Sequence, residues 1–392
     1  MRIAYTPEQN RLRGELRRYF DQLLTPDRRE ALASQTGEYG SGTVYRDIVR
    51  DMGKDGWLAL GWPEKYGGRG RPMMEQLIFA DEAAVAGAPV PFLTLNSVAP
   101  TIMHHGTEEQ REFFLPRIAA GELHFAIGYS EPEAGTDLAA LRTTAKMDGD
   151  DFVIDGAKMW TSLIAYADYI WLACRTDPDA VKHRGISMIA VPADTEGVSW
   201  TPVHTMAGPD TSATYYNNVR VPQSALVGAL HGGWALITDQ LNDERVALTP
   251  AAPVQHAYRQ VLEWAQQTRR PDGRRVADSE WVQISLARVH AKVSFLETKN
   301  WELASATGRV RPGDASASKV FGTELAIEAY RLLMEILGPT ATVRQDSVGA
   351  HLRGSIERRH RAALILTFGG GTNEVQRDII ARAELKLPAA PR

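Results

Sequence analysis

The fold assignment turns on "YSEPEAGTDLAALRT", residues 129–143. It follows the short apolar run "HFAIG" and crowds Ser130, Pro132, Gly135 and Thr136 together. Spacing alone reads it as a Pro/Gly turn at the end of a strand. The alternative reading sets its hydroxyls and backbone N–H groups against a flat polar ligand. A second stretch, "IDGAKMWTS" at 154–162, places Trp160 beside Thr161 and Ser162. Taken alone, Trp160 reads as a packing residue.

Around these stretches the texture is that of strands. "DFVIDGAKMW", "YADYIWLACRTD", "GISMIAVPA" and "TYYNNVRVP" are short apolar or alternating runs separated by Gly, Asp and Pro. Before them the chain reads helical. "TPEQNRLRGELRRYFDQLL" opens with Thr6 as a cap and Pro7 at the first helical position. "EQLIFADEAAVAG" and "EEQREFFLPRIAAG" are further helices, and the Gly/Pro-rich loop "GWPEKYGGRGRP" lies between the first helix and these. After about Gly232 the helical period returns in "ADSEWVQISLARVHAKVSFLETKNWELASATG" and "ASASKVFGTELAIEAYRLLMEILG". The expected organisation is α+β: a helical domain over 1–121, a β-domain over 122–230 and a helical domain over 231–392.

The 392 residues suffice for two or three packed units, and 44% hydrophobic with 23% charged residues is ordinary for a globular chain. A formal net charge of -4 offers no broad basic field for nucleic acid or an anionic membrane. The single cysteine, Cys174, excludes an internal disulfide and a Cys-based zinc cluster. No window approaches a membrane span and the start lacks a signal-peptide core, so a cytoplasmic protein is expected. His104-His105 lacks further ligands at short spacing and reads as a helix end. "ERRHRAA" at 357–363 reads as a solvated helix face, and Met73, Met74 and the scattered tryptophans as core.

In order along the chain, "YSEPEAGTD", "GAKMWTS", "VRVPQSALVG" and "GTNEVQR" resemble the ordered motifs of the acyl-CoA dehydrogenase family. The resemblance spans essentially the whole chain and is nearest to actinobacterial subunits acting on steroid side chains. It implies a helical N-terminal domain, a middle β-barrel or sandwich, a C-terminal four-helix bundle, and FAD in the cleft between the last two. By motif position it places Ile127, Tyr129, Ser130, Thr136, Trp160, Ser162 and Thr372 at the cofactor. Trp160 would lie against the flavin ring and Ser162 would donate toward N5. The protein then supplies aim and electronics while the chemistry is the cofactor's.

The family reaction removes a proton from the α-carbon of an acyl-CoA while hydride leaves the β-carbon, so it needs a positioned base. Many members carry a Glu just before the GT of the last motif. Here the sequence reads "FGGGT", and glycine at Gly370 or Gly371 cannot accept a proton. A minority places the Glu on a helix, as "LxxER". The matching stretch is "WALITDQLNDERVAL", 234–248. Trp234, Ile237, Leu241 and Leu248 form an apolar stripe with Glu244 on its missing rung. Glu244 is therefore the expected base. A buried Glu tied to an arginine for structural reasons is the alternative. Arg245 is expected to support CoA or the cleft wall, and Gly370 to leave room for a bulky acyl group.

The family's ADP clamp, given by a neighbouring subunit, looks eroded. "RRPDGRRV" keeps Arg270 but has lost its aromatic, and "EILGPTAT" has Glu335 and Pro339 where Gln and Gly are usual. Pro339 also removes a backbone donor. The expectation is an α2β2 complex with a paralogous subunit, with a homotetramer as the alternative. Electron-transfer flavoprotein is the expected acceptor. A non-catalytic partner subunit and an acyl-CoA oxidase are the rival functions.

Overall fold

The computed structural model describes residues 4–33, 43–206, 210–247, 249–306, 310–344 and 347–388; the side chains of 210, 242–247, 351 and 353 lie outside that description. Helix α1 (Pro7–Leu23) starts at Thr6, whose Oγ1 accepts from the Gln9 N–H while Gln9 Oε1 accepts from the Thr6 N–H. This reciprocal cap satisfies two otherwise unpaired donors and fixes where the helix begins. Leu16, Phe20 and Leu23 then fall on one buried face. Helices α2 (Pro26–Ala33), α3 (Thr43–Lys54), α4 (Met73–Ala86), α5 (Ala99–His105) and α6 (Glu108–Ala119) complete this unit. A wide turn of helix, Thr94–Val98, leads into α5.

Among the described residues eight strands follow: β1 (Phe125–Gly128), β2 (Thr144–Asp148), β3 (Asp151–Lys158), β4 (Tyr169–Arg175), β5 (Ile186–Pro192), β6 (Val198–His204), β7 (Asp210–Pro222) and β8 (Leu226–Val227). They form one sheet in the order β6-β7-β3-β2-β4-β5-β8, with β1 parallel to β4 at the side. The pairing of β3 with β7 slips between Ile154 and Gly156. Gly156 has φ 151°, and a Cβ there would stand 2.6 Å from the Thr143 hydroxyl. The irregularity re-aims the end of β3, as bulges do, toward the Met159–Ser162 turn.

The remainder is helical: α7 (Gly233–Ala247), α8 (Ala252–Gln267), α9 (Glu280–Ser305), α10 (Pro312–Leu337), α11 (Ser355–Ala363) and α12 (Asn373–Ile379). Helix α10 packs on the other five. Its Ala315, Ala326 and Ala329 are buried, which admits close neighbours on several sides. No helix among the described residues is long and apolar enough to cross a membrane.

Side-chain bonds lock the first helical unit to the sheet. Thr94 Oγ1 accepts from the Phe125 N–H at 3.0 Å, and Gln110 Nε2 donates to the Ser224 and Leu226 carbonyls. Arg46 reaches Asp168 at 3.0 Å, while Asp168 also accepts from the His124 N–H. The sequence expectation that methionines and tryptophans serve as core holds only in part. Met74, Trp57, Trp62 and Trp171 are in the core, but Met73, Trp160, Trp200 and Trp281 are exposed. A single side chain carries no sign of which way its backbone turns it.

Where α4 meets α8 and α9, Asp81 Oδ1 is covered and has no hydrogen-bond partner among the described residues. Burial, reinforced by the neighbouring Glu297 carboxylate, pushes the Asp81 carboxyl up to about 7; the Ala252 N–H offsets this only partly. An acid whose pKa rises on folding binds its proton more tightly in the native state, so stability falls as pH climbs from about 4 to about 7. Asp81→Asn should therefore be more stable than the parent at pH 8, by ~1–3 kcal/mol. That gap should close below about pH 4. Urea unfolding across a pH series checks this; a gap independent of pH contradicts it.

Candidate functional site

Ser130 and Trp160 belong to two loops that one buried ion pair holds together. Lys158 ends β3 and is fully buried; its Nζ lies 2.8 Å from Glu131 Oε1 and donates to the Tyr129 carbonyl at 3.0 Å. Glu131 also accepts from the backbone N–H groups of Arg142 (2.7 Å) and Thr143 (2.9 Å). Burial pushes the Glu131 carboxyl up, but the Lys158 charge and these hydrogen bonds outweigh it and hold the group below its usual range. Burial likewise pushes the Lys158 ammonium down, only partly offset by Glu131. The two directions pull oppositely on the pair. The geometry favours the ionised form, since Glu131 gathers three donors that only a carboxylate can fully satisfy.

The backbone completes the junction. Met159 N–H donates to the Ser130 carbonyl at 2.8 Å, and Thr161 N–H to the Ser212 carbonyl at 2.8 Å. Between these anchors Trp160 adopts φ 66°, a left-handed conformation rare for a bulky residue. Such strain costs about 1–3 kcal/mol and persists only where surroundings impose it. Its effect is to turn the indole outward, leaving it 57% exposed. Ser162, half-buried, shares a hydroxyl–hydroxyl hydrogen bond of 3.2 Å with Thr211. The structure thus brings Ser130, Trp160 and Ser162 onto one junction with Tyr129 at its base. Ile127 lies half-buried in β1, and Thr136 is exposed further along the same loop.

The glycine-rich segment is held in the same manner. Gly370 and Gly371 have φ 67° and 90°, which a residue with a Cβ adopts only under strain. The buried Lys319 of α10 donates to the Thr367 and Gly371 carbonyls and to Asn373 Oδ1, at 3.2, 2.9 and 2.8 Å. Gln376 Nε2 donates to the Gly370 carbonyl. Thr372 caps α12, its Oγ1 accepting from the Val375 N–H. Phe368, beside the glycines, is 67% exposed.

Helix α7 carries Glu244 and Arg245, whose side chains lie outside the described residues. The stripe leading to them is as expected: Ile237 is fully buried, and Trp234 and Leu241 pack on the same core. Sequence reading missed Gln240 on this helix, which is 1% exposed. Its Oε1 accepts from Tyr129 Oη at 2.5 Å and from Trp171 Nε1 at 2.9 Å. Glu131, Lys158 and Lys319 were also missed as site-forming residues. Charged side chains inside otherwise apolar elements are the signal that could have flagged them.

Arg270 is half-buried in a tight turn between α8 and α9. Its N–H donates to the Arg274 carbonyl, and no described hydrogen bond links the turn to the sheet. Glu335 pairs with Arg331 one turn earlier on α10, so part of its charge is neutralised within the helix. Pro339 opens the short 3-10 turn Pro339–Thr342 after Gly338.

The residues suit a flat, polar-edged heterocycle. An exposed indole forced outward gives a wall, and Ser130 and Ser162 stand on the two loops joined at it. Acyl-CoA dehydrogenase family models match the chain in three parts: the N-terminal domain over 6–122, the middle domain over 126–219 and the C-terminal domain over 231–385. The chain is 67% identical to acyl-CoA dehydrogenase FadE26 of Mycobacterium tuberculosis, with both chains fully covered. It is 47% identical to FadE29 of the same organism, again over both full chains. Among solved structures it is similar to a chain of the ChsE4-ChsE5 complex from Mycobacterium tuberculosis, with a TM-score of 0.94, 67% identity and full coverage of both chains. It also matches a chain of the Tcur3481-Tcur3483 steroid ACAD, with a TM-score of 0.93, 46% identity and full coverage of both. The protein belongs to the acyl-CoA dehydrogenase family and is an oxidoreductase acting on acyl-CoA.

Proposed function

We propose that the chain binds FAD at the Ser130–Trp160–Ser162 junction and carries out α,β-dehydrogenation of an acyl-CoA thioester with Glu244 as base. The observation that carries this reading is the outward, left-handed Trp160 held between two loops by the Lys158–Glu131 pair. The chemistry FAD supplies when bound is acceptance of the hydride lost from the acyl β-carbon. Every proton step falls to the chain. Glu244 takes the α-proton as the carbon–carbon double bond forms. Ile127, Tyr129, Thr136 and Thr372 would complete the cofactor's surroundings. Gly370 would leave room beside the acyl group, and Arg245 would face CoA or the cleft wall.

The proposed substrate is a steroid side-chain CoA and the proposed acceptor an electron-transfer flavoprotein. A paralogous dehydrogenase chain is the proposed partner, forming α2β2. The solved relatives named as two-chain complexes support the partner, and the relative called a steroid ACAD supports the substrate class. The altered clamp supports it too, since Pro339 has no N–H to offer a pyrophosphate and Arg270 lacks its aromatic neighbour.

Three outcomes are expected. Glu244→Gln, in the flavin-loaded enzyme, should lower turnover of an acyl-CoA with an artificial acceptor by about 10²–10⁴-fold while flavin stays bound; near-normal turnover would remove Glu244 as base. The chain expressed alone should carry less than one flavin per protomer, and co-expression with a paralogous dehydrogenase subunit should restore it; full flavin in a homotetramer would count against the partner. Lys158→Met leaves the Glu131 charge buried without its counter-ion, so it should destabilise the chain by about 3–5 kcal/mol and release flavin first. Thermal unfolding followed in parallel by flavin and tryptophan fluorescence measures both.

A further inference from the structure

Thr211, near the start of β7, is 5% exposed. Its hydroxyl has one hydrogen-bond partner among the described residues, the Ser162 hydroxyl at 3.2 Å. On distance alone either oxygen could give the proton. Burial decides between them. A covered hydroxyl proton without an acceptor is costly, and Ser162 Oγ is the acceptor that Thr211 has. Ser162 is half-buried, so its own proton is not confined to an internal acceptor. The bond therefore runs from Thr211 to Ser162.

The backbone holds the serine as well. Its N–H donates to the Trp160 carbonyl at 3.1 Å, closing a tight turn over Thr161. Thr161 is fully buried, and its hydroxyl is bonded to Thr214 Oγ1 at 3.1 Å, three residues beyond Thr211 on β7. Two hydroxyl pairs thus fasten this turn to β7, while Trp160 at its start stays exposed. A serine has no second group on Cβ to restrict χ1, so its hydroxyl is set by what it bonds. With Thr211 donating, the Ser162 oxygen is fixed from behind and its single proton is left for an acceptor arriving at the junction. A hydroxyl that accepts one hydrogen bond also donates the next more strongly.

We propose that Thr211 is a positioning residue for hydride transfer, holding the Ser162 hydroxyl so that its proton meets flavin N5. This rests on FAD binding at the Ser130–Trp160–Ser162 junction. The β C–H bond breaks with its electron pair going to the flavin, and the α-proton goes to Glu244. A donor fixed in advance stabilises the negative charge that this pair brings, with no reorganisation at the moment of reaction. A purely structural Thr211 would affect folding and flavin retention, and would leave the loaded site as it is.

The test uses the flavin-loaded enzyme with a steroid side-chain CoA carrying protium or deuterium at the β-carbon. Thr211→Val keeps the shape and removes the hydroxyl. It should lower kcat roughly three- to tenfold with KM nearly unchanged. The β-deuterium isotope effect should rise, because hydride transfer becomes slower relative to other steps. The visible absorption of the bound flavin should shift before any substrate is added. Thr211→Ser keeps the hydroxyl and should return kcat and the spectrum most of the way to the parent. In a Ser162→Ala background Thr211→Val should add little, because the route it acts through is gone. If Thr211→Val does not fold, Thr211→Ala takes its place in each comparison. Unchanged kcat and spectrum in the hydroxyl-free variant, with Ser162→Ala impaired, would overturn the inference and leave the cofactor placement standing. So would effects of the two substitutions that simply multiply. A loaded Ser162→Ala enzyme with the parental kcat and spectrum would overturn both the inference and the placement of flavin at this junction.

Discussion

The contact between Lys158 and Glu131 is the constraint from which the site follows. The two loops that leave the ends of β1 and β3 must keep a fixed relation. A fully buried ammonium resolves this because it has to find oxygen. Here it takes Glu131 and the Tyr129 carbonyl. Glu131 in turn collects the Arg142 and Thr143 N–H groups, so the loop cannot relax without exposing a charge to an apolar interior. The strained turn at Trp160 is tolerated because both of its flanks are anchored, Met159 N–H to the Ser130 carbonyl and Thr161 N–H to the Ser212 carbonyl.

The C-terminal glycine segment is built on the same principle from a different element. Lys319 on α10 is buried and gathers the Thr367 and Gly371 carbonyls with Asn373. Each of these two loops thus has backbone carbonyl oxygen bonded to a buried lysine. One loop is poor in side chains and the other presents an indole and hydroxyls. Gln240 supplies the third tie, between the sheet and α7. Breaking any of these ties leaves a buried polar group uncompensated, which costs more than the bond itself contributes.

Much of the fold was legible because local rules and tertiary demands agree. The Thr6-Pro7 cap, the long amphipathic runs that became α9 and α10, and the alternating runs that became the sheet needed no partner to be read. The apolar stripe through Trp234, Ile237 and Leu241 was equally plain, since helical period is a one-dimensional signal. Trp160 was misread in isolation as packing. Nothing local announces a left-handed tryptophan, because the anchors that force it, Ser130 and Ser212, come from elsewhere in the chain.

The sequence by itself determined the α+β order, the family, and the absence of any side chain at Gly370 and Gly371, because composition, period and ordered motifs are properties of the chain alone. Tertiary structure alone decided that Lys158 meets Glu131, that Lys319 grips the glycine segment, and that Gln240 faces Tyr129 and Trp171. Those pairings span 27, 52 and 111 residues of sequence separation. They arise because a buried polar group must bond to whatever the packed fold sets beside it, and no local pattern specifies that neighbour.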